Sequence, residues 1–271
     1  MKDRSLVVPE GEACLRTEVP GGEVVAYRRA GPGHAESEDG AAIVSTAAGT
    51  LLLVADGMGG QPAAARASRL AIDEITGCVL REVASGGELR HAILDGIEAA
   101  NAAVRALGVG AGTTIAAMAV RDSHARAFHV GDSMVLQLGQ RGRLKAQTVP
   151  HSLTGLLVEA GTLDESEALH HADHHVVTNY VGQEGMRIEV GGSIRVAPRD
   201  TLVVASDGLA DNLTVDEIVG QVRQGPLLGA GVALAEYARR RMERPEPEEP
   251  SKPDDLTFLL YRRTADAEQA R

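Results

Sequence analysis

The stretch TLLLVADGMGG, residues 50–60, constrains this chain more than any other. Apolar residues from Leu51 to Ala55 run straight into Asp56, and glycine follows at positions 57, 59 and 60. An apolar run of that length, bounded by turn formers, predicts a strand buried on both faces with its terminal carboxylate at the rim of a core. Asp-Gly is also a common hairpin turn, but a hairpin needs a second strand at once. The chain continues instead as QPAAARASRLAIDEIT, with Pro62 suited to a first helical turn and apolar residues at helical spacing. The same grammar returns in TLVVASDGL, which runs from Thr201 into Asp207 and Gly208 ahead of the helix-patterned TVDEIVGQV. Two buried strands thus each deliver an aspartate and a glycine to a strand end, and that predicts a site.

The 271 residues suffice for a core of ordinary size, which Leu, Val, Ile and Ala must fill because only 2% are aromatic. A formal net charge of -11 leaves no cationic stripe to replace phosphate counterions, so nucleic acid is not expected as a partner. Bound metal ions would still let so acidic a chain handle phosphate. Cys14 and Cys78 are too few for a disulfide framework or a thiolate zinc site. No window reaches the length of a membrane span and the first residues lack an export signal, so a soluble, cytoplasmic protein without a membrane partner is expected.

Around Gly21-Gly22 the pattern predicts one or two strands, GPGHAESEDG reads as loop, and helices are expected at roughly 62–83 and 88–106. After Gly112 the segments TTIAAMAV, ARAFHVGDS, MVLQLGQ and RLKAQTV are joined by turns so short that they can link only antiparallel neighbours. That excludes a doubly wound parallel sheet and predicts antiparallel sheets with helices on their faces. Residues 150–180 read as irregular; helices follow near 214–224 and 229–242, and LTFLLYR forms a last strand after the Pro/Glu-rich loop ERPEPEEPSKPDD.

Acids stand beside glycine or at the ends of apolar segments in SEDG (Glu38, Asp39), ADGMGG (Asp56), HVGDS (Asp132), SDG (Asp207) and KPDDLT (Asp254, Asp255). If these ends converge, their mutual repulsion must be relieved by protons or cations. Hard oxygen ligands select magnesium, manganese or calcium.

In order and spelling, SEDG, VADGMGG, GTT (112–114), HVGDS, ASDGL and DDLT resemble the metal-dependent type 2C serine/threonine protein phosphatases of bacterial type, across residues 24–262. The combination is highly specific, whereas any one motif alone is weak. The resemblance implies an α+β fold, an α-β-β-α sandwich of two antiparallel sheets flanked by helices, with an N-terminal segment 1–23 packed on a phosphatase domain 24–263 and a tail 264–271. It implies two Mn2+ or Mg2+ ions, with Asp56 bridging, the Gly57 carbonyl on one ion and Asp207 with Asp254 completing the other. Glu38 and Asp39 would hold water in the ions' shells, and Asp132 with Asp207 would take a third, weaker ion. Glu38, Asp39, Asp56 and Asp207 are then the catalytic set, and the reaction is direct hydrolysis of phosphoserine and phosphothreonine by a metal-activated water. Partners would be a phosphorylated protein and a cognate serine/threonine kinase.

Several positions depart from the family pattern. His34 stands where an arginine often grips the substrate phosphate, which makes His34 and the nearby Arg28 the candidates for that contact. Met134, Pro150 and Asp255 replace arginine, aspartate and asparagine of many relatives, and none removes a primary ligand. Neither cysteine is followed six positions later by arginine, so the cysteine route to phosphate-ester hydrolysis is closed. Alternative functions are a catalytically silent phosphoprotein-binding module of the same fold, or a phosphomonoesterase for small molecules. Pro62 breaks the G-x-G-x-x-G spacing in DGMGG. The cluster His170, His171, His174 and His175 is expected in a flap beside the site rather than as a metal site, and His129 as a packed strand residue.

Overall fold

Leu51, Leu52, Leu53, Val54 and Ala55 are all fully buried, and their alternation shows why. Leu51, Leu53 and Ala55 pack with Ala67, Ile72, Ile75, Ile93 and Ile97 of two helices. Leu52 and Val54 point the other way, against Val204, Leu259 and Tyr261 of a second sheet. With period-two side chains and a hydrophobic layer on each face, the strand needs no polar side.

The computed structural model describes residues 3–58, 63–164, 167, 171, 176–246 and 249–264. Strands β1 (Arg4–Val7), β2 (Leu15–Val19), β3 (Gly22–Arg29), β4 (Gly40–Thr46), β5 (Gly49–Ala55) and β6 (Gly57–Met58) precede helices α1 (Ala63–Ala84) and α2 (Leu89–Arg105). Then come β7 (Gly112–Thr113), β8 (Ile115–Arg121), β9 (His124–Val130), β10 (Met134–Leu138), β11 (Leu144–Gln147) and α3 (Leu153–Glu159). The chain continues through β12 (Glu189–Val190), β13 (Ile194–Arg195), β14 (Thr201–Ala205), α4 (Asp207–Ala210), α5 (Val215–Val222), α6 (Leu227–Glu243) and β15 (Leu256–Arg263). One sheet runs β1-β4-β5-β8-β9-β12, with β13 also on β9; the other runs β11-β10-β14-β15-β3-β2. Their pairings are antiparallel throughout, as the short turns after Gly112 demand.

Three apolar layers hold the sandwich together. One joins the first sheet to α1 and α2, one fills the space between the sheets, and one joins the second sheet to α4, α5 and α6. This is the α-β-β-α order that the resemblance implies. The helix α5 opens with a capping box, in which the Thr214 hydroxyl accepts from the Glu217 N–H and the Glu217 carboxylate accepts from the Thr214 N–H.

Two segments are more regular than their patterning predicts. Residues 4–7 form an edge strand on β4, and residues 153–159 form a helix inside the stretch read as irregular. The second is capped by Ser152, whose hydroxyl accepts from the Gly155 N–H at 3.0 Å. Both elements are too short for a periodic signal and owe their regularity to pairing and capping. Of the histidine cluster, His170, His174 and His175 lie outside the described residues.

Candidate metal centre

The site gathers at the ends of central strands, where the apolar runs stop. Asp56 follows β5, and its backbone is clamped by the GTT segment. The Thr114 N–H donates to the Asp56 carbonyl at 2.8 Å, the Thr113 hydroxyl donates to the same carbonyl at 2.7 Å, and the Asp56 N–H donates to the Thr114 hydroxyl at 3.1 Å. Gly57 continues into β6, paired with Thr113. A Cβ at position 57 would collide with the Ala64 carbonyl and lie 2.8 Å from that of Glu38, so only glycine lets these three backbones meet.

Asp207 begins α4 at the end of β14, and the neighbouring Gly208 has the same constraint, since a Cβ there would collide with the Asp255 carbonyl. That contact brings the loop before β15, with Asp254, against α4. Asp39 precedes β4 and is buried, with its carboxylate accepting from the Ser206 hydroxyl at 2.8 Å.

Asp56 and Asp207 lie close enough for each to shift the other's titration. Burial, and then Asp207 and Asp39, push Asp56 well above the usual carboxylate range. Asp207 also suffers burial, but the Lys252 ammonium 3.0 Å away outweighs it and holds Asp207 below its ordinary value. Burial and Asp255 raise Asp39 to about 8, although the bond from Ser206 opposes the rise. Burial, Asp207 and Asp211 raise Asp132 to about 8. Asp254 is raised by burial and Asp207. These acids are therefore brought into one field, which protons or cations must relieve.

Asp255 does a different job. Its carboxylate accepts from the Gly31 N–H at 2.8 Å, from the Glu38 N–H and from His34 Nδ1 at 2.7 Å, which ties the 31–38 loop to the start of β15. His34 is exposed, and its imidazole is raised by the Asp255 bond despite some burial. Arg28 donates Nε to the Asp39 carbonyl at 2.7 Å and Nη2 to the Ser37 carbonyl at 3.3 Å, so its guanidinium braces the acidic loop from below.

Sequence reasoning missed Asp211 and Lys252. Asp207, Asp211 and Asp254 present oxygens within 4.8 Å of one another, and the Lys252 ammonium contacts all three. Asp211 lies four residues after Asp207 on one turn of helix, and this spacing was the available signal. Lys252 carried none, since only the fold brings it to α4.

A second group capable of holding an ion comprises His129, His151 and Glu189. His151 Nδ1 accepts from the Gly131 N–H at 3.1 Å and faces the Asn179 amide at 2.8 Å, which leaves its proton on Nε2, 3.2 Å from Glu189. His129 is buried, stacked on His151 at 4.3 Å, and directs Nε2 to the Val149 carbonyl at 3.0 Å. Burial and then His151 lower its pKa, so it is a neutral packed histidine. Both imidazoles already use their Nε2 protons in hydrogen bonds, whereas the carboxylate group offers the oxygen donors that hard divalent ions prefer.

The family profile described as "Protein phosphatase 2C" matches residues 33–257. This chain belongs to the protein phosphatase 2C family. A "Putative protein phosphatase 2C-type" from Streptococcus pyogenes is 34% identical over 194 residues, covering 69% of this chain and 76% of the relative. Among solved structures, the Mycobacterium tuberculosis serine/threonine phosphatase PstP/Ppp superposes with a TM-score of 0.74 at 25% identity, covering 89% of this chain and 98% of that one. The catalytic domain of PstP in complex with two manganese ions superposes with a TM-score of 0.72 at 24% identity, covering 89% and 98%. A protein phosphatase 2C needs divalent ions among its acids, and the donor set here fits them, being rich in half-buried carboxylate oxygens that crowd and repel one another. Among the described residues no helix is long and apolar enough to cross a membrane.

Beside the acids lies a cavity of about 630 Å³, lined by Asp132, Asp207 and Asp211 together with Met134, Val149 and Leu213. A second, of about 370 Å³, reaches Asp254 from the side of His34, Arg29 and Arg239. The acids thus face two openings of contrasting chemistry.

Proposed function

We infer that this chain hydrolyses phosphoserine and phosphothreonine esters of proteins in a metal-dependent reaction. The observation that carries the reading is the convergence of the Asp207, Asp211 and Asp254 carboxylates within 4.8 Å, in a field that also raises Asp39, Asp56 and Asp132. Asp56, the Gly57 carbonyl, Asp207 and Asp254 would hold two Mn2+ or Mg2+ ions, and Asp132 with Asp207 a third, weaker one. When bound, such ions make water acidic near neutral pH and neutralise charge on phosphoryl oxygens.

The chain's own groups do the rest. Glu38 and Asp39 orient water, with Asp39 steadied by the Ser206 hydroxyl. His34, held by Asp255 and raised toward its charged form, would meet the substrate phosphate, and Arg28 keeps the 37–39 backbone in place for it. The larger cavity receives apolar residues flanking the phosphorylated side chain. A thiolate route has no support, since burial and then Glu236 push Cys14 up to about 11, and burial raises Cys78.

We assign the activity to residues 24–263, with 1–23 packed on that unit through β1 and β2 and 264–271 as a tail. A phosphorylated protein is the substrate, a cognate serine/threonine kinase the opposing partner, and the cytoplasm the compartment. Hydrolysis of p-nitrophenyl phosphate with manganese, compared among the native chain, Asp56→Asn and Asp207→Asn, tests the reading; equal rates in all three would overturn it. Rates on phosphopeptides beside those on small phosphate esters separate a protein phosphatase from a metabolite phosphatase.

A further inference from the structure

The acids of the site already have a cation among them. The Lys252 ammonium lies 2.8 Å from Asp254, 2.9 Å from Asp211 and 3.0 Å from Asp207. These three carboxylates converge within 4.8 Å, so the ammonium occupies the point that a divalent ion on Asp207 and Asp254 would share.

Its placement is built in rather than incidental. The Lys252 N–H donates to the Asn212 side-chain carbonyl at 2.9 Å, and the Asn212 amide donates back to the Lys252 carbonyl at 2.8 Å. Asn212 is fully buried and follows Asp211 directly, so one residue fixes the lysine backbone against the acids it serves. The preceding loop is anchored to α6, because Arg241 pairs with Glu249 at 2.8 Å and the Ser251 hydroxyl donates to the Arg241 carbonyl at 2.8 Å. The side chain of Lys252 keeps 34% of its surface exposed. Its flexible stem therefore lets the ammonium swing into water while the loop stays fixed.

We propose that Lys252 is a tethered counter-ion for the Asp207–Asp254 position, and that a divalent ion enters there only by expelling it. This rests on the reading that these acids are the ion ligands. An ammonium and a divalent ion repel strongly at contact distance, so the two occupancies exclude each other. Ion loading then has two unequal steps, the first at Asp56 and Gly57 and the second at Asp207 and Asp254 as Lys252 leaves. A lysine that is displaced about a tenth of the time weakens the second ion about tenfold, because apparent affinity scales with the competent fraction. Cation supply would thereby switch the enzyme, while the ion-free protein keeps its acids neutralised from within.

Manganese titration of the full chain, followed by the electron paramagnetic resonance of free Mn2+ with elemental analysis of the bound metal, tests this. The native protein is expected to fill in two separated steps. In Lys252→Met, which keeps the stem and removes the charge, the second step should move to about tenfold lower manganese with the first unchanged. Lys252→Gln, which also removes the charge and leaves every carboxylate in place, should move the second step the same way, and decides the matter if the methionine variant does not fold. An unchanged or weakened second step, with two ions still bound, would overturn the role of Lys252 and leave the phosphatase reading standing. Absence of uptake by every form would overturn both.

Discussion

The Ser206 hydroxyl donates to the Asp39 carboxylate over 2.8 Å, across 167 residues of sequence and from the end of one sheet to the end of the other. The same hydroxyl oxygen accepts from the Thr257 N–H at 3.2 Å, so one side chain joins β14, β15 and the acidic loop before β4. Ser206→Ala would leave a buried carboxyl without this donor and is expected to cost about 1–3 kcal/mol. Urea unfolding of the ion-free protein measures it, and an unchanged midpoint would show that this link contributes nothing.

Gly57→Ala is expected to be worse than an ordinary surface change, because the added methyl meets backbone rather than a movable side-chain end. Forcing atoms into packed space costs about 1–3 kcal/mol. For a domain of this size that lowers the melting temperature by about 2–4 °C per kcal/mol. The shift of the Gly57 carbonyl should also weaken manganese uptake, so calorimetry and a binding titration on one sample check both expectations.

The ion-free protein should become less stable as pH rises from 6.5 to 8. Asp39 and Asp132 titrate near 8 in the folded chain against an ordinary value of 3.8, so in this window they hold protons that the unfolded chain has lost. Stability then falls with rising pH, by linkage, and levels off above the folded values. His34, also raised, acts in the same direction, whereas His129, which is lowered, opposes it mainly below 6.5. Manganese replaces those protons, so the stabilisation it adds should grow from pH 6.5 to pH 8. Thermal melts with and without manganese across that range decide the point; a flat or rising ion-free profile would contradict it.

His34→Ala should raise KM for a phosphothreonine peptide, by about ten- to a hundredfold if a charge-assisted bond to phosphate worth about 1.5–3 kcal/mol is lost. His34→Arg should recover much of that affinity. Separate kcat and KM values distinguish this from disruption of the 31–38 loop, which would lower kcat as well. Circular dichroism confirms that each variant is folded.

Much of this architecture can be read along the chain. The run Leu51–Ala55 is uniformly apolar because Leu51, Leu53 and Ala55 meet helices while Leu52 and Val54 meet the second sheet, and a strand with two dry faces leaves that mark on its composition. The antiparallel order after Gly112 follows from turn length. The β1 strand and the helix 153–159 left little trace, because pairing to β4 and the Ser152 cap decide them rather than periodicity.

By itself, the sequence determined that buried strands end in acid-glycine pairs and that helices follow them, since hydrophobic period and turn chemistry act between near neighbours. Which acids meet was decided only in three dimensions. The Ser206–Asp39 link, the diversion of Asp255 to the 31–38 loop, and the seat of Lys252 among Asp207, Asp211 and Asp254 all depend on how two sheets and the loops at their ends close on one another. Electrostatic interaction depends on separation in space and on burial, and neither quantity is carried by spacing along the chain.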